Sequence, residues 1–306
     1  MGDVITTPLN PSPTRPIRHL FTVDVEEHFQ VHALEGAVDR EAWSGHPSRV
    51  EASTERLLEL LDRAGAVGTF FVLGWVARRN AGLVKQIAEA GHEIASHGMN
   101  HRRLGELDRD GFRETARDSR ALLEDIAGTP VRGFRAPSFS LGEEKVWALE
   151  ILLEEGYAYD ASRMPVRRPS LSARAALDAH FVQTLSGPIL EIPVVPAYRG
   201  RLAIPAGGGA YFRHLPYALT RAALRSAEKR GHPGVFYVHP WELDPDQPRL
   251  TTSPITRLRH YGGLARTADR LRRLLGEFEF GSVRDVYRRQ LSPAVAPEAG
   301  RESAEA

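Results

Sequence analysis

Ile94-Ala95-Ser96-His97-Gly98-Met99-Asn100-His101 reads as the end of an apolar strand followed at once by two histidines at i, i+4. One turn of chain at that spacing brings both imidazoles to one side, with Cβ atoms ~5–6 Å apart. Neutral imidazole is a common metal ligand, and Zn2+ takes such nitrogens together with a carboxylate. In a chain with 12 histidines such a pair also arises by chance. Its weight therefore depends on what the neighbouring strands deliver, and the same order of apolar run, polar end and helix recurs along the chain.

Upstream, His19-Leu20-Phe21-Thr22-Val23-Asp24-Val25-Glu26-Glu27 is a β-branched and aromatic run that ends in acids, with the strand at about 19–23. Residues 28–47 carry Gly and Pro and read as a long loop. Val50, Leu57, Leu58, Leu61 and Ala64 recur at helical spacing and predict a helix over 49–64, stopped by Gly65. A second strand follows at 67–72 and a helix through Leu83, Val84 and Ile87 closes at Gly91. The third strand, 92–96, delivers His97.

Downstream, Phe112, Ala116 and Ile126 mark a helix ended by Gly128, and a short strand at 132–135 runs into Ala136-Pro137. A helix over 143–155 and a strand at 157–160 come next. Residues 161–187 read as irregular, with one helical piece at 173–179. A strand at 189–194 contains Pro193, the mark of an edge strand or a strand end. Gly207-Gly208-Gly209 predicts backbone angles that only glycine tolerates. A helix over 216–230, a strand at 235–238 ending at His239, a helix over 264–275 and a strand at 278–280 complete the pattern. There is no internal repeat.

Strands alternating with helices imply a parallel sheet, and seven or eight such units close most economically as a (β/α) barrel. Barrel chemistry gathers at the C-terminal ends of the strands. Asp24, Glu26, His97, Arg135, Asp160 and His239 all fall there. Singly, each has an ordinary explanation: a solvated strand end, a surface charge, a capping Asp, a buried His bonded to backbone. Glu242 and Asp244 read as rim residues. Their joint placement at one end is what argues for a site.

Composition bounds the rest. The 306 residues allow one large α/β domain or two small ones, and 42% hydrophobic residues suffice for a sizeable core. Lys+Arg 40 against Asp+Glu 39 gives a net charge of +1, no case for nucleic acid or an anionic membrane as main partner. The absence of cysteine excludes disulfides, thiolate nucleophiles and Cys-ligated metal centres. Residues 1–17 are polar and Pro-rich with no apolar core of signal-peptide length, and no run approaches the ~20 apolar residues of a membrane span. The expected organisation is a disordered segment 1–17, one domain over 18–290 and a disordered tail 291–306, in a soluble, cytoplasmic protein.

Two His and one carboxylate leave metal positions open for water and substrate, a catalytic rather than a structural arrangement. A metal so held lowers the pKa of bound water to ~7 and polarises a carbonyl. A second carboxylate can then take the water's proton and a His can protonate a leaving amine. Those parts suit amide or ester hydrolysis.

The set resembles the NodB-like polysaccharide deacetylases, carbohydrate esterase family 4. The resemblance rests on Thr22-Val23-Asp24-Val25-Glu26, Thr69-Phe70-Phe71-Val72-Leu73-Gly74, Ser96-His97-Gly98-Met99-Asn100-His101, Arg135-Ala136-Pro137-Ser138-Phe139-Ser140, Tyr159-Asp160-Ala161-Ser162 and Val238-His239-Pro240-Trp241-Glu242, in the family's order. The stretches 207–216 and Arg259-His260-Tyr261-Gly262-Gly263-Leu264 are similar to the branch associated with exosortase and exopolysaccharide gene clusters. The resemblance implies a distorted (β/α)7 barrel, a divalent metal such as Zn2+, and hydrolysis of N-acetyl groups on an amino-sugar polysaccharide, an exopolysaccharide or its lipid-linked precursor. It implies Asp24 as general base, His97 and His101 as metal ligands, Arg135 as the charged partner of Asp24, His239 as general acid and Asp160 as the group that orients His239. Val25 stands where the family's metal-binding Asp normally is and cannot ligate. An acid-x-acid pattern gives that role to Glu26, with Glu27 as the fallback. Hydrolysis of a cyclic amide on the same barrel, and a non-catalytic carbohydrate-binding protein, are the alternatives. Phe29, Trp75, Phe139, Tyr211 and Trp241 are candidates to stack on sugar rings.

Overall fold

The computed structural model describes residues 5–10, 16–142, 145–164, 177–194, 196–199 and 202–292. Its first strand, β1 (Thr6–Pro8), is peripheral. Seven parallel strands form the frame: β2 (His19–Val25), β3 (Thr69–Val72), β4 (Glu93–Ser96), β5 (Gly133–Phe134), β6 (Tyr159–Asp160), β8 (Gly187–Glu191) and β11 (Val235–Val238). They lie in the order β8-β6-β5-β4-β3-β2-β11. Strand β7 (His180–Thr184) pairs antiparallel with β8, β9 (Pro196–Arg199) with β10 (Leu202–Pro205), and β12 (Phe280–Gly281) lies beside the start of β2.

Helices α1 (Val50–Arg63), α3 (Ala81–Glu89), α4 (Arg109–Ala127), α5 (Val146–Glu154) and α7 (Tyr217–Arg230) occupy stretches between the strands. The sheet is not hydrogen-bonded between β8 and β11. Residues Gly207 and Gly208 lie along β11 instead: Tyr237 N donates to Gly207 O at 2.8 Å, and Gly208 bridges Tyr237 in parallel. Gly208 has φ +148°, and a Cβ there would sit 1.8 Å from the Tyr237 carbonyl oxygen. Only glycine allows that approach. The architecture is a distorted (β/α)7 barrel.

Alternation along β2 explains how the strand serves two layers. Phe21, Val23 and Val25 pack with helix residues such as Leu57, Leu61 and Val76. Leu20 packs with Phe71, Ala95, Tyr159, Leu190 and Val235, side chains that the strands turn towards one another inside the barrel. Thr22 and Asp24 share the parity of Leu20, so Asp24 points inward while Val25 is buried outward. Each fully buried aliphatic side chain in these layers contributes about 1.5–3 kcal/mol. Helix α4 shows the local logic of an element. Asp108 caps its start by accepting from Gly111 N at 2.8 Å, Phe112, Ala116 and Leu123 form its buried stripe, and Gly128 ends it at φ +65°.

Four expectations change. Residues 6–8, placed in a disordered lead-in, form β1 on the free edge of β7, with Thr7 opposite Phe181 and Gln183 N donating to Ile5 O. An open edge offers unpaired amides and carbonyls, and a short β-branched segment satisfies them. Residues 180–184, expected to be irregular, form β7, because a two-residue turn at Leu185 and Ser186 returns the chain into β8. The strand expected at 189–194 ends at Glu191, before Pro193. Helices α2 (Gly74–Arg79), α6 (Gly209–His214) and α8 (Pro254–Tyr261) were not anticipated. Most of the helical piece expected at 173–179, and positions 293–306 of the expected tail, lie outside the described residues. Among the described residues no helix is long and apolar enough to cross a membrane.

Candidate active site

The parallel register brings the expected residues together. Val23 on β2 pairs with Val238 on β11, so Asp24 and His239 occupy the next position on neighbouring strands. Val72 on β3 pairs with Ser96 on β4, which places His97 just beyond. Phe134 on β5 precedes Arg135, and its partner Ser96 precedes His97.

Glu26, His97 and His101 offer one donor atom each, all within 4.8 Å of one another, and all three residues are buried. Glu26 Oε2 lies 2.8 Å from His101 Nε2 and 3.9 Å from His97 Nε2. That oxygen is buried and no hydrogen bond is directed at it, whereas Glu26 Oε1 accepts from Trp241 Nε1 at 3.3 Å. His97 Nδ1 is 2.9 Å from the Arg135 carbonyl, so Nδ1 carries the proton and Nε2 presents its lone pair towards Glu26. Burial lowers the His97 pKa to about 4 against the raising effect of Asp24, so the ring is neutral at pH 7. Burial alone would raise Glu26, but His101, His239 and His97 outweigh it and hold the carboxyl at about 2. Two imidazole nitrogens and a buried carboxylate oxygen to which no hydrogen bond is directed, all within 4.8 Å of one another, fit a divalent cation. Glu27 does not share that point. It accepts from Ser48 Oγ and, at 2.9 Å, from Arg49 N, fastening the start of α1.

Beside this set, Arg135 Nη1 donates to Asp24 Oδ1 at 2.7 Å and to Thr22 Oγ1 at 2.9 Å, while its Nε donates to Ala161 O. The guanidinium is fully buried and lies 4.1 Å from the centre of the Phe71 ring. Among the described residues, the non-glycine positive φ angles are those of His101, Ser138 and Phe139, all in the turns that follow β4 and β5. Backbone strain of this kind persists only where surrounding contacts over-determine it.

His239 Nε2 faces Asp24 Oδ2 at 3.9 Å and Glu26 Oε1 at 3.7 Å. At that separation no substrate group fits between these atoms, so His239 and Asp24 line adjacent parts of one wall, as the pairing of β2 with β11 requires.

The orienting group is also different from the one expected. His239 Nδ1 lies 2.7 Å from Glu242 Oε1, which also accepts from the His239 backbone N. Burial works against protonating His239, but the bond to Glu242 and the charges of Glu26, Glu242 and Asp24 raise its pKa to about 9. Asp160 does not reach His239. Its carboxylate accepts from Ser162 N and Oγ, and Ser162 Oγ accepts from Ala136 N beside Arg135. Burial raises the Asp160 pKa, and that of its cross-strand partner Glu191 well above the usual range.

Glu242 and Asp244, read as rim residues, are buried. Asp244 takes a two-bonded grip from Arg49 at 2.7 and 2.9 Å, and Glu242 pairs with Arg213. The signal for Glu242 was its place three residues after His239 in a Pro-initiated turn, which closes a capping box. Trp241 is not a free sugar platform: it is buried, stacked between His239 at 5.1 Å and His260 at 4.4 Å. Phe29 is buried too, while Trp75, Phe139 and Tyr211 are half-buried.

A parallel barrel with a carboxylate, two imidazoles and a neighbouring Asp–His pair at the strand ends defines a class of fold and site. The comparisons give the family. Residues 44–157 match the family model described as polysaccharide deacetylase, and residues 161–288 match a domain of unknown function, DUF3473. The chain carries a NodB-like polysaccharide deacetylase domain. It is 31% identical over 98 residues, 32% of its length, to a peptidoglycan-N-acetylglucosamine deacetylase of Bacillus cereus, spanning 36% of that relative. It is 33% identical over 85 residues, 28% of its length, to a chitooligosaccharide deacetylase of Sinorhizobium fredii, spanning 40% of it. Its fold matches a candidate polysaccharide deacetylase from Mycobacterium smegmatis with TM-score 0.57 at 23% identity, covering 90% of this chain and 97% of that one. It matches Puue allantoinase with TM-score 0.61 at 18% identity, covering 95% and 96%.

Proposed function

We propose that the protein is a metal-dependent hydrolase that removes N-acetyl groups from an amino-sugar polysaccharide. The observation that carries this reading is the convergence of Glu26, His97 and His101 within 4.8 Å, with His239 Nε2 3.7 Å from Glu26 and 3.9 Å from Asp24. Two nitrogens and one oxygen suit Zn2+. A divalent cation there supplies Lewis acidity, polarising an acyl oxygen and acidifying water.

The chain's own residues supply the remainder. Asp24, fixed by Arg135 and held on the inner face of β2, accepts a proton from the attacking water. His239, fixed by Glu242 through Nδ1, donates from Nε2 to the departing sugar nitrogen. Each such transfer contributes typically ~10²–10⁴-fold. The similarity of stretches 207–216 and 259–264 to the exopolysaccharide-associated branch favours an exopolysaccharide or its lipid-linked precursor as the acetylated glycan. The test is acetate release by the zinc-loaded protein from N-acetylglucosamine oligomers and from cyclic amides. Release from the oligomers and not from the cyclic amides supports the reading; turnover of cyclic amides alone overturns it.

A further inference from the structure

Arg213 is a fully buried guanidinium that no step above uses. Its Nε donates to Glu242 Oε2 at 2.5 Å, the oxygen opposite the one that holds His239. Nη1 donates to the carbonyls of His260 (2.9 Å) and Gly262, and Nη2 to that of Arg259 (3.1 Å). The guanidinium lies 5.2 Å from the centre of the Trp241 ring, which stacks on His239. One cation therefore joins two stretches distant in sequence, 207–216 and 259–264, to the turn that bears His239.

The surroundings fix Arg213 itself. Arg270 of helix α9 (Thr267–Glu277) donates to the carbonyls of Phe212, Arg213 and Leu215. Gly263, at φ +78°, lets the loop pass so close that a Cβ would lie 2.9 Å from Arg213 O. A planar fork of this kind has little freedom, and it holds the Glu242 carboxylate in one rotamer.

All these residues, with His239, lie within 161–288, the match to the domain of unknown function; His97, His101 and Arg135 lie within 44–157. The two matches are not separate domains in space. Strands β8 and β11 of the first-named segment belong to the same sheet as β3, β4 and β5 of the other.

We propose that Arg213, acting through Glu242, is the positioning residue of His239, and that the 161–288 segment serves the site as the arm that holds this acid. This rests on the deacetylase reading for the acid's role. A deacetylase that lacks a positioned acid fails most on leaving groups that must be protonated. It fails least on an ester whose leaving group departs as an anion.

The experiment compares zinc-loaded wild type, Arg213→Lys and Glu242→Gln on an N-acetylglucosamine oligomer and on 4-nitrophenyl acetate. Glu242→Gln keeps the shape of the site should the Arg213 variant not fold. In each variant kcat on the oligomer is expected to fall about tenfold or more relative to kcat on the ester, with KM little changed. A second readout is the downfield proton NMR signal of His239 Nδ1–H in metal-free protein, expected to be present in wild type and shifted or lost in both variants. An unchanged ratio of oligomer to ester turnover, or an Nδ1 signal unmoved in a folded Arg213→Lys, overturns the proposal. If wild type releases no acetate from the oligomer, the deacetylase reading fails instead, and the NMR signal alone decides whether Arg213 positions His239.

Discussion

Nδ1 of His239 lies 2.7 Å from Oε1 of Glu242, three residues on in the same turn. This contact gives Glu242, read from the sequence as a rim residue, the place beside His239 that the sequence assigned to Asp160. Glu242 orients the proposed acid, while Asp160 holds Ser162 and through it the Ala136 amide next to Arg135. Glu242→Gln should therefore lower kcat more than Asp160→Asn does, by about tenfold or more. Steady-state kinetics on one N-acetylated oligomer decide it, and the reverse order would restore the expected role of Asp160.

Glu26 and Glu27 divide in a similar way. Glu26→Ala should abolish most metal binding, as should His97→Ala and His101→Ala, with the fold retained. Glu27→Ala should keep the metal and lose stability instead, about 1.5–3 kcal/mol for hydrogen bonds to a buried charged group. Metal content after dialysis, set beside urea midpoints, reads both quantities. Full occupancy in Glu26→Ala would remove it from the ligand set.

The Arg135–Asp24 pair is buried on both sides, with side chains 0% and 2% exposed. Breaking such a pair by removing one partner costs about 3–5 kcal/mol, because the other charge is left uncompensated. Arg135→Met should thus be strongly destabilised, and adding Asp24→Asn should recover part of the loss. Denaturant unfolding of the two single variants and the double variant gives the coupling. Strict additivity would mean that the two charges do not depend on each other.

Acid should destabilise the fold over a defined window. Burial lowers the pKa of His19 to about 4, of His92 to about 4 and of His260 to about 3. Unfolded, each binds its proton near pH 6.5, while the folded state stays neutral down to those values. The unfolded state therefore holds more protons between about pH 6.5 and 4, and stability falls as pH falls through that range. Each group contributes a slope of up to about 1.4 kcal/mol per pH unit. Melting temperature against pH, with imidazole NMR titrations, checks this. Titration of these three rings near pH 6.5 in the folded protein would contradict it.

Much of the site was legible because its signals are local. Apolar runs bounded by Gly65, Gly91 and Gly128 located the strands and helices, and the alternation of Asp24, Val25 and Glu26 already puts the two acids on one parity. His97 and His101 carry their spacing in the sequence. Arg213 was not legible, since its partners lie 29 to 49 residues away and meet it only in the fold. The β7–β8 turn was hidden for a different reason: Leu185 and Ser186 are not the Asn-Gly or Asp-Gly pair that marks most two-residue hairpins. The pairing of β1 with β7 depends on a free edge that no local pattern announces.

The most direct measurement is acetate release from an N-acetylglucosamine oligomer by the same preparation before chelation, after chelation and after Zn2+ is restored, alongside His101→Ala. The account predicts release that disappears with the metal, returns with it, and is absent in His101→Ala under all three conditions. Undiminished acetate release by chelated protein, or by His101→Ala, would contradict it.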